Sequence, residues 1–407
     1  MNMPIEGGPL PGYPDVPYAQ SCSMDRCMAR AKEMMDWDSK YPCRDMGNGK
    51  VRGVGVAMAM QGSSIAGVDV GGADIKLNED GSYTLALGCT DMGTGCDTVM
   101  AQIAADCLNT PMDNIVVFSV DTDISPYDSG SYASATTYTT GVAVMKACEE
   151  LKKKICKLGA EMMEVDERKV DFDGSCVFYD ETLEINDGAE GNAAGHMTDA
   201  EEGYSVDMDA ISSENAQKKV SLKDIALKST FFNNIELQVV KQHSSPISPP
   251  PFMVGMAEVE VDTETGSVDV LDYVAVVDCG TPINPNLARV QTEGGIAQGI
   301  GMALWEDVQY TDKGKIRNNS FMQYKIPTRQ DIGNIRVDFE CSYEKSGPFG
   351  AKSIGELVID TPCPALAEAI YNATGVRLTE LPMTPEKIAM EILKNRESTR
   401  SGTKVEE

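Results

Sequence analysis

The chain has 407 residues, 42% of them hydrophobic, which is enough for two or more packed lobes. Sixty-three acidic against 35 basic side chains leave a formal charge of −28. That balance excludes a nucleic-acid backbone or an anionic membrane surface as partner, because both need clustered Lys and Arg.

Cysteine and histidine usage narrows the chemistry further. The twelve cysteines contain no C-x-x-C pair, and the nearest set, Cys22, Cys27 and Cys43, fits neither a zinc nor a ferredoxin spacing. With His196 and His243 as the two histidines, no His-based metal site is expected and a Cys/His or Ser/His catalytic pair is disfavoured. The cysteines read as reduced, mostly buried thiols of a cytoplasmic protein.

Residues 1–20 are punctuated by Pro and Gly and should be extended, either laid across a partner or frayed. They lack the basic and apolar stretches of a secretion signal, and the chain has no run of about 18 apolar residues. From 23 to 37, Met24, Cys27, Met28, Ala31 and Met35 recur at helical spacing and predict a short helix. Residues 51–90 read as strands, with Asp80-Gly81 as a hairpin turn. The turn Asp91-Met92-Gly93-Thr94-Gly95 leads into a helix marked by Val99, Ile103 and Cys107. Residues 114–120 predict a strand, 121–140 a polar loop, and Val142, Met145, Cys148, Leu151 and Ile155 a long helix. From 180 to 219 the chain is acidic and rich in small residues, which reads as a surface excursion.

A helix resumes over 221–227, and Pro249-Pro250-Pro251 opens a second strand-rich part. There Ala257, Val259 and Val261 alternate with Glu258, Glu260 and Asp262, and Thr265-Gly266 turns the chain back to Val268 and Val270. The alternation predicts a hairpin with one wet face. A helix over 363–374 stopped by Gly375, and a last helix opening at Thr384-Pro385-Glu386, close the chain. Hairpins mixed with helices indicate an α+β class, with hairpin-rich mixed sheets and packed helices.

Four segments are candidates for chemistry. Gly93-Thr94-Gly95, between a strand and a helix, could bring backbone N–H groups to an anion, or be a plain tight turn. The loop 128–136 is dense in small residues and hydroxyls and could bind a ligand or simply cap the next helix. Gln291 and the glycines 294, 295, 299 and 301 sit in an apolar, helical stretch, where each glycine costs about 1 kcal/mol. They imply close packing against a neighbouring helix or a cofactor. Last, Gly347-Pro348-Phe349-Gly350-Ala351-Lys352-Ser353-Ile354-Gly355-Glu356 ends a Gly-rich turn on a carboxylate. In a dry pocket that carboxylate would be a base with a pKa raised toward neutrality; on a surface it would be an ordinary solvated group.

Taken together these segments resemble the molybdenum hydroxylases of the xanthine dehydrogenase and aldehyde oxidase family. The resemblance is carried by 248–252, 257–266, Val277-Asp278-Cys279-Gly280 with Ile283-Asn284-Pro285, Gln291 with Gly294-Gly295, 324–328, Gly347 to Glu356, 373–377 and 381–387, in family order. It covers most of 50–160 and 220–395 and matches the second half of the family's molybdenum domain, the first-half motifs being absent.

The resemblance implies two lobes of a molybdopterin-binding domain, carried by a separate subunit as in divided purine or nicotinate hydroxylases. The expected division is a partner-contacting segment at 1–50, a first lobe at 51–165, an acidic excursion and connector at 166–245, a second lobe with the glutamate motif at 246–396, and a tail at 397–407. The implied cofactor is molybdopterin, as the cytosine dinucleotide in bacteria, with molybdenum held by the pterin dithiolene and by no side chain. Glu356 is then the base, and the substrate a small molecule oxidised at an electron-poor carbon. Gly93, Thr94, Gly95, Ser131, Ala133, Ser134, Ala135, Thr136, Gln291, Lys352, Ser353 and Gly355 match cofactor-contacting segments. Thr94, Ala135 and Ser353 stand where many members have Gln, Arg and Gly. Implied partners are a second molybdopterin subunit, an iron–sulfur subunit and a flavin subunit bearing FAD. Other readings are a non-catalytic carrier or scaffold, and an aldehyde-oxidising member.

Overall fold

A computed structural model describes residues 21–401 apart from 120, 184–217 and 234. The expectations for 1–20, for 402–407 and for most of the acidic 180–219 stretch lie outside the described residues.

In chain order, α1 (Met24–Met35) and the one-turn α2 (Trp37–Lys40) lead to β1 (Cys43–Gly47) and β2 (Lys50–Met60). Then come β3 (Gly71–Leu77), β4 (Tyr83–Leu87), α3 (Cys96–Leu108), β5 (Ile115–Ser119) and α4 (Gly141–Met163). The middle of the chain forms β6 (Val170–Phe172), β7 (Cys176–Tyr179), β8 (Lys219–Ser221), α5 (Leu222–Leu227) and β9 (Gln238–His243). The last part forms β10 (Phe252–Asp262), β11 (Val268–Asp278), α6 (Pro285–Leu304), β12 (Asn334–Phe339), α7 (Pro362–Thr374) and α8 (Pro385–Ser401). The architecture is α+β, as expected.

Local signals account for most of these elements. The face Cys27, Ala31 and Met35 of α1 is buried. Gly81 takes a positive φ in the turn between β3 and β4, as the Asp-Gly signal requires. Gly375 ends α7 in the left-handed region, where its N–H reaches the Tyr371 carbonyl. The expected loop 121–140 differs: its last part, Thr136–Thr140, already winds as a wide helical turn that runs into α4, with Tyr138, Thr139 and Thr140 buried. Burial of that hydroxyl-rich turn overrides its polar composition.

Two larger sheets carry the molecule. One has the order β5-β4-β3-β9, and α3 and α4 pack on it around Ile75, Leu85, Met100, Ile103 and Leu151. The other has the order β1-β2-β10-β11-β12. β2 pairs antiparallel along the whole of β10, from Lys50 opposite Asp262 to Met60 opposite Phe252. The expected boundary at 51 therefore does not separate the sheets; the chain changes sheet after Met60. In the same way β9, from the expected connector, completes the other sheet against β3.

The expected wet face of the β10–β11 hairpin is a correction. The sheet is covered on both sides, by α1 on one face and by α6 and α7 on the other. Glu258 is 5% exposed and its carboxylate meets Lys40 at 2.6 Å and Arg44. A polar residue in an alternating pattern signals water by default, but two cations from α2 and β1 take its place here. Further along the hairpin, Glu260 pairs with Lys50 and Arg52 at 2.8 Å each.

The approach of α7 to β2 requires glycine. A Cβ at Gly55 would stand 2.2 Å from the Ala365 carbonyl oxygen and 2.4 Å from the Ala369 nitrogen, and one at Gly53 would stand 2.2 Å from the Ala369 oxygen. Backbone cannot yield as a side chain does, so α7 would have to lift off the sheet. Gly55→Ala is expected to destabilise the fold by about 1–3 kcal/mol, the range for overpacking. A denaturant midpoint equal to that of the parent chain would refute this packing argument.

Candidate active site

Four loops converge on a cavity of about 270 Å³ between the two sheets. Met92, Thr94, Cys96 and Val99 line it from the turn into α3. Ser131, Ser134, Thr136 and Thr137 line it from the turn before α4, and Ile283, Asn284, Leu287, Ala288 and Gln291 from the start of α6. The fourth wall is Ala351, Lys352, Ile354, Gly355 and Glu356. The wall is thus rich in hydroxyls and amides over an apolar floor, the pattern of a pocket that orients a polar ligand.

Glu356 stands at the mouth of this cavity and is exposed. The dry setting expected for it is not met within this chain. Its carboxylate is nevertheless fixed. Oε2 accepts from Gln61 Nε2 at 2.8 Å and from Ser134 Oγ at 3.0 Å. The same Ser134 hydroxyl accepts the Glu356 N–H at 2.9 Å. One turn on, burial and then the Glu356 charge raise the Asp360 carboxyl above the usual range.

Gln291 acts from α6 on the same loop, donating from Nε2 to the Gly355 carbonyl at 2.8 Å. Gly355 must be small, because a Cβ there would meet Ser134 Oγ at 3.0 Å. Ala133 and Ser134 both take positive φ, and the Ala133 carbonyl accepts from Ser64 N–H at 3.0 Å. Strain of this kind in non-glycine residues is held in place by the surrounding hydrogen bonds and gathers at functional sites.

Four candidates are committed elsewhere. The Lys352 side chain is fully buried with its ammonium 3.0 Å from Asp278 and over the Phe252 ring, so it meets the cavity through its backbone. Ser353 turns away from the cavity: its N–H reaches Ser63 Oγ at 2.9 Å. Gly93 and Gly95 take positive φ in a tight turn, and both N–H groups go to Asp91 Oδ1 at 2.8 and 3.1 Å. Ala135 is buried. The glycines of α6 serve packing: a Cβ on Gly295 would strike Val358 at 2.3 Å, and one on Gly299 would strike Pro362 at 2.7 Å.

Sequence reasoning missed Gln61, Thr281 and Asn284. No local signal marks Gln61, since the bond it makes to Glu356 spans 295 residues. Asn284 was legible as the residue before Pro285; its side chain caps α6 by accepting the Leu287 N–H. Among the described residues one group of metal-ligand type occurs, Asp91, Cys96 and Asp97. Loop N–H groups hold Asp91, and Ser119 and the Cys96 thiol hold Asp97. No described helix is long and apolar enough to cross a membrane.

The family model for the molybdopterin cofactor-binding domain matches residues 30–333, most of the chain and three of the four cavity walls. The chain belongs to that family. It is 34% identical over 380 residues to the Escherichia coli (strain K12) protein named "Probable hypoxanthine oxidase XdhD", covering 92% of this chain and 35% of that protein. It is 29% identical over 350 residues to the 6-hydroxypseudooxynicotine dehydrogenase complex subunit gamma of Paenarthrobacter nicotinovorans, covering 84% of this chain and 40% of the relative. The chain therefore spans between about a third and a half of the length of the curated relatives it matches. The fold is that of quinoline 2-oxidoreductase from Pseudomonas putida 86, with a TM-score of 0.78 at 22% identity over 92% of this chain and 46% of the other.

The cavity suits the molybdopterin group that defines the family. Hydroxyls of Thr94, Ser131, Thr136 and Thr281 and the amide of Asn284 can satisfy a ligand rich in polar atoms, and among the described residues no charged side chain besides Glu356 faces in. Among the described residues the cavity wall offers two thiols, Cys96 and Cys279. Burial pushes the Cys279 thiol up to about 12, which keeps it neutral. Such a wall can bind an organic cofactor.

Proposed function

We propose that this chain is the glutamate-bearing, molybdopterin-binding subunit of a molybdenum hydroxylase. The substrate is an N-heterocycle of the purine or nicotinate type, hydroxylated at an electron-poor carbon with oxygen from water. The observation that carries this reading is Glu356, anchored through one carboxylate oxygen at the mouth of a hydroxyl-lined cavity. When bound, the molybdenum cofactor supplies the two-electron chemistry and the site of oxygen transfer.

The chain's own residues have separate roles. Thr94, Ser131, Thr136 and Asn284 hold the cofactor's polar groups, in the cytosine dinucleotide form. Gly93, Gly95, Ala133 and Ala135 shape the backbone that approaches it. Gln291 and Lys352 act indirectly, through the Gly355 carbonyl and the Asp278 pair. Glu356 accepts the proton as general base. Ser134 fixes the direction of that carboxylate.

The names of two relatives, a hypoxanthine oxidase and a nicotine-pathway dehydrogenase subunit, support a heterocyclic substrate over an aldehyde. The exposed Glu356 and the exposed Met92 and Tyr132 beside the cavity support a covering partner, a second molybdopterin subunit with the other half-domain. Iron–sulfur and flavin subunits would carry the electrons away. Twelve free cysteines fit the cytoplasm.

Purification of the native complex by a tag on this chain, with molybdenum and selenium measured by elemental mass spectrometry, tests the reading. Near-stoichiometric molybdenum with a second molybdopterin subunit is expected. A solitary chain without molybdenum, despite ample supply, would leave a carrier or scaffold as the better account.

A further inference from the structure

We infer that Gln61 is a positioning residue for Glu356, orienting its carboxylate; this rests on Glu356 being the base. Gln61 follows directly on β2, and the turn it opens is sewn to both neighbouring loops. Ser63 Oγ accepts the Ser353 N–H at 2.9 Å, the Gly62 carbonyl accepts from Ser353 Oγ at 3.3 Å, and Ser64 N–H donates to the Ala133 carbonyl at 3.0 Å. Ser64 takes a φ of +71° to make this turn. Three loops far apart in sequence therefore carry the three groups Gln61, Ser134 and Glu356 as one unit.

The amide of Gln61 can point in one sense only. Nε2 donates to Glu356 Oε2 at 2.8 Å, while among the described residues the buried Oε1 has no hydrogen-bond partner. A buried carbonyl left unpaired is unfavourable, and such groups in native structures call for an explanation. The opposite orientation would set the Gln61 carbonyl oxygen against a carboxylate oxygen at the same distance. The orphaned acceptor is thus the consequence of aiming the amide N–H at Glu356.

Both donors end on Oε2. Among the described residues no hydrogen bond reaches Glu356 Oε1, which leaves that oxygen to take a proton. Donors to the charged form stabilise it, so removing one makes the carboxylate easier to protonate and free to turn. The other titratable groups of the cavity wall do not replace Gln61: Lys352 is sealed against Asp278, Cys279 stays neutral, and Cys96 points its thiol at Asp97.

The test uses two variants of the full chain. Gln61→Met keeps the length and removes the donor; Gln61→Glu keeps the shape and sets a second carboxylate against the first. Infrared difference spectra over a pH series, with Glu356→Gln as the blank, report the titration of Glu356 without turnover. Gln61→Met should move that titration upward, as expected for loss of a donor to the charged form, and Gln61→Glu should split it into two steps shared by the two carboxylates. In the assembled enzyme the acid limb of kcat/KM should move by the same amount while molybdenum content is unchanged. A Glu356 titration that stays in place in a folded Gln61→Met variant would overturn the role of Gln61. Full turnover by Glu356→Gln would instead remove the base assignment and leave the infrared result standing, so the two failures are distinguishable.

Discussion

Glu356→Gln should lower turnover of the assembled enzyme by about 10²–10⁴-fold while leaving its molybdenum and pterin content unchanged, the range for loss of a general base. The substitution keeps size and shape. Its amide oxygen can still accept from Gln61 and Ser134, the two donors that hold Oε2 at 2.8 and 3.0 Å. What it loses is basicity at the free oxygen. A structural role for Glu356 would make the variant shed cofactor or unfold at lower denaturant, whereas a catalytic role affects the rate alone. Steady-state rates beside metal and pterin analysis separate the two. Unchanged turnover would sink the assignment of Glu356 as the base.

Asp278→Ala should produce the largest loss of stability, about 3–5 kcal/mol, because it strands a buried ammonium. Lys352 and Asp278 have no exposed side-chain surface and meet at 3.0 Å. Asp278 also accepts from Ser23 N–H at 2.9 Å, Gly280 N–H at 3.0 Å and Ser342 Oγ at 2.7 Å. Removing the carboxylate leaves all of these donors without a partner, on top of the unpaired charge. A further Lys352→Met substitution should recover much of the loss, since removing both charges of a buried pair is far less harmful than removing one. Chemical denaturation of the two variants tests this; a drop under about 1 kcal/mol for Asp278→Ala would refute it. Lys352 lies four residues before Glu356, so the same variant should also disturb the base. The pair ties the start of α1 and the end of β11 to the loop that carries the carboxylate.

The order of these contributions bears on how this cofactor-binding domain is built. The residues that would meet the cofactor here are mostly hydroxyls and backbone on loops, and the charged residues lie behind them. An acidic chain of net charge −28 cannot attract a polyanionic group by its overall field. Binding must come from short-range donors on a rigid frame, which explains why loops 61–64, 133–134 and 353–356 are cross-stitched by serine side chains.

Much of this was readable in one dimension. The spacing of Cys27, Ala31 and Met35, the Asp80-Gly81 hairpin, the Gly375 stop and the glycines of 93 and 95 are local patterns with periods of two or 3.6 residues or a required positive φ, and the structure follows them. The ordered motifs ending at Glu356 likewise pointed to the cavity wall. Tertiary structure alone decided the rest. That β2 leaves 51–165 to pair with β10, that Glu258 is buried between Lys40 and Arg44, that Lys352 faces Asp278 and not the cavity, and that Gln61 meets Glu356 are contacts across 74 to 295 residues of chain, or depend on such contacts. Their energies come from which charges and amides the topology brings together out of water, and a residue's own neighbours in sequence carry no trace of that.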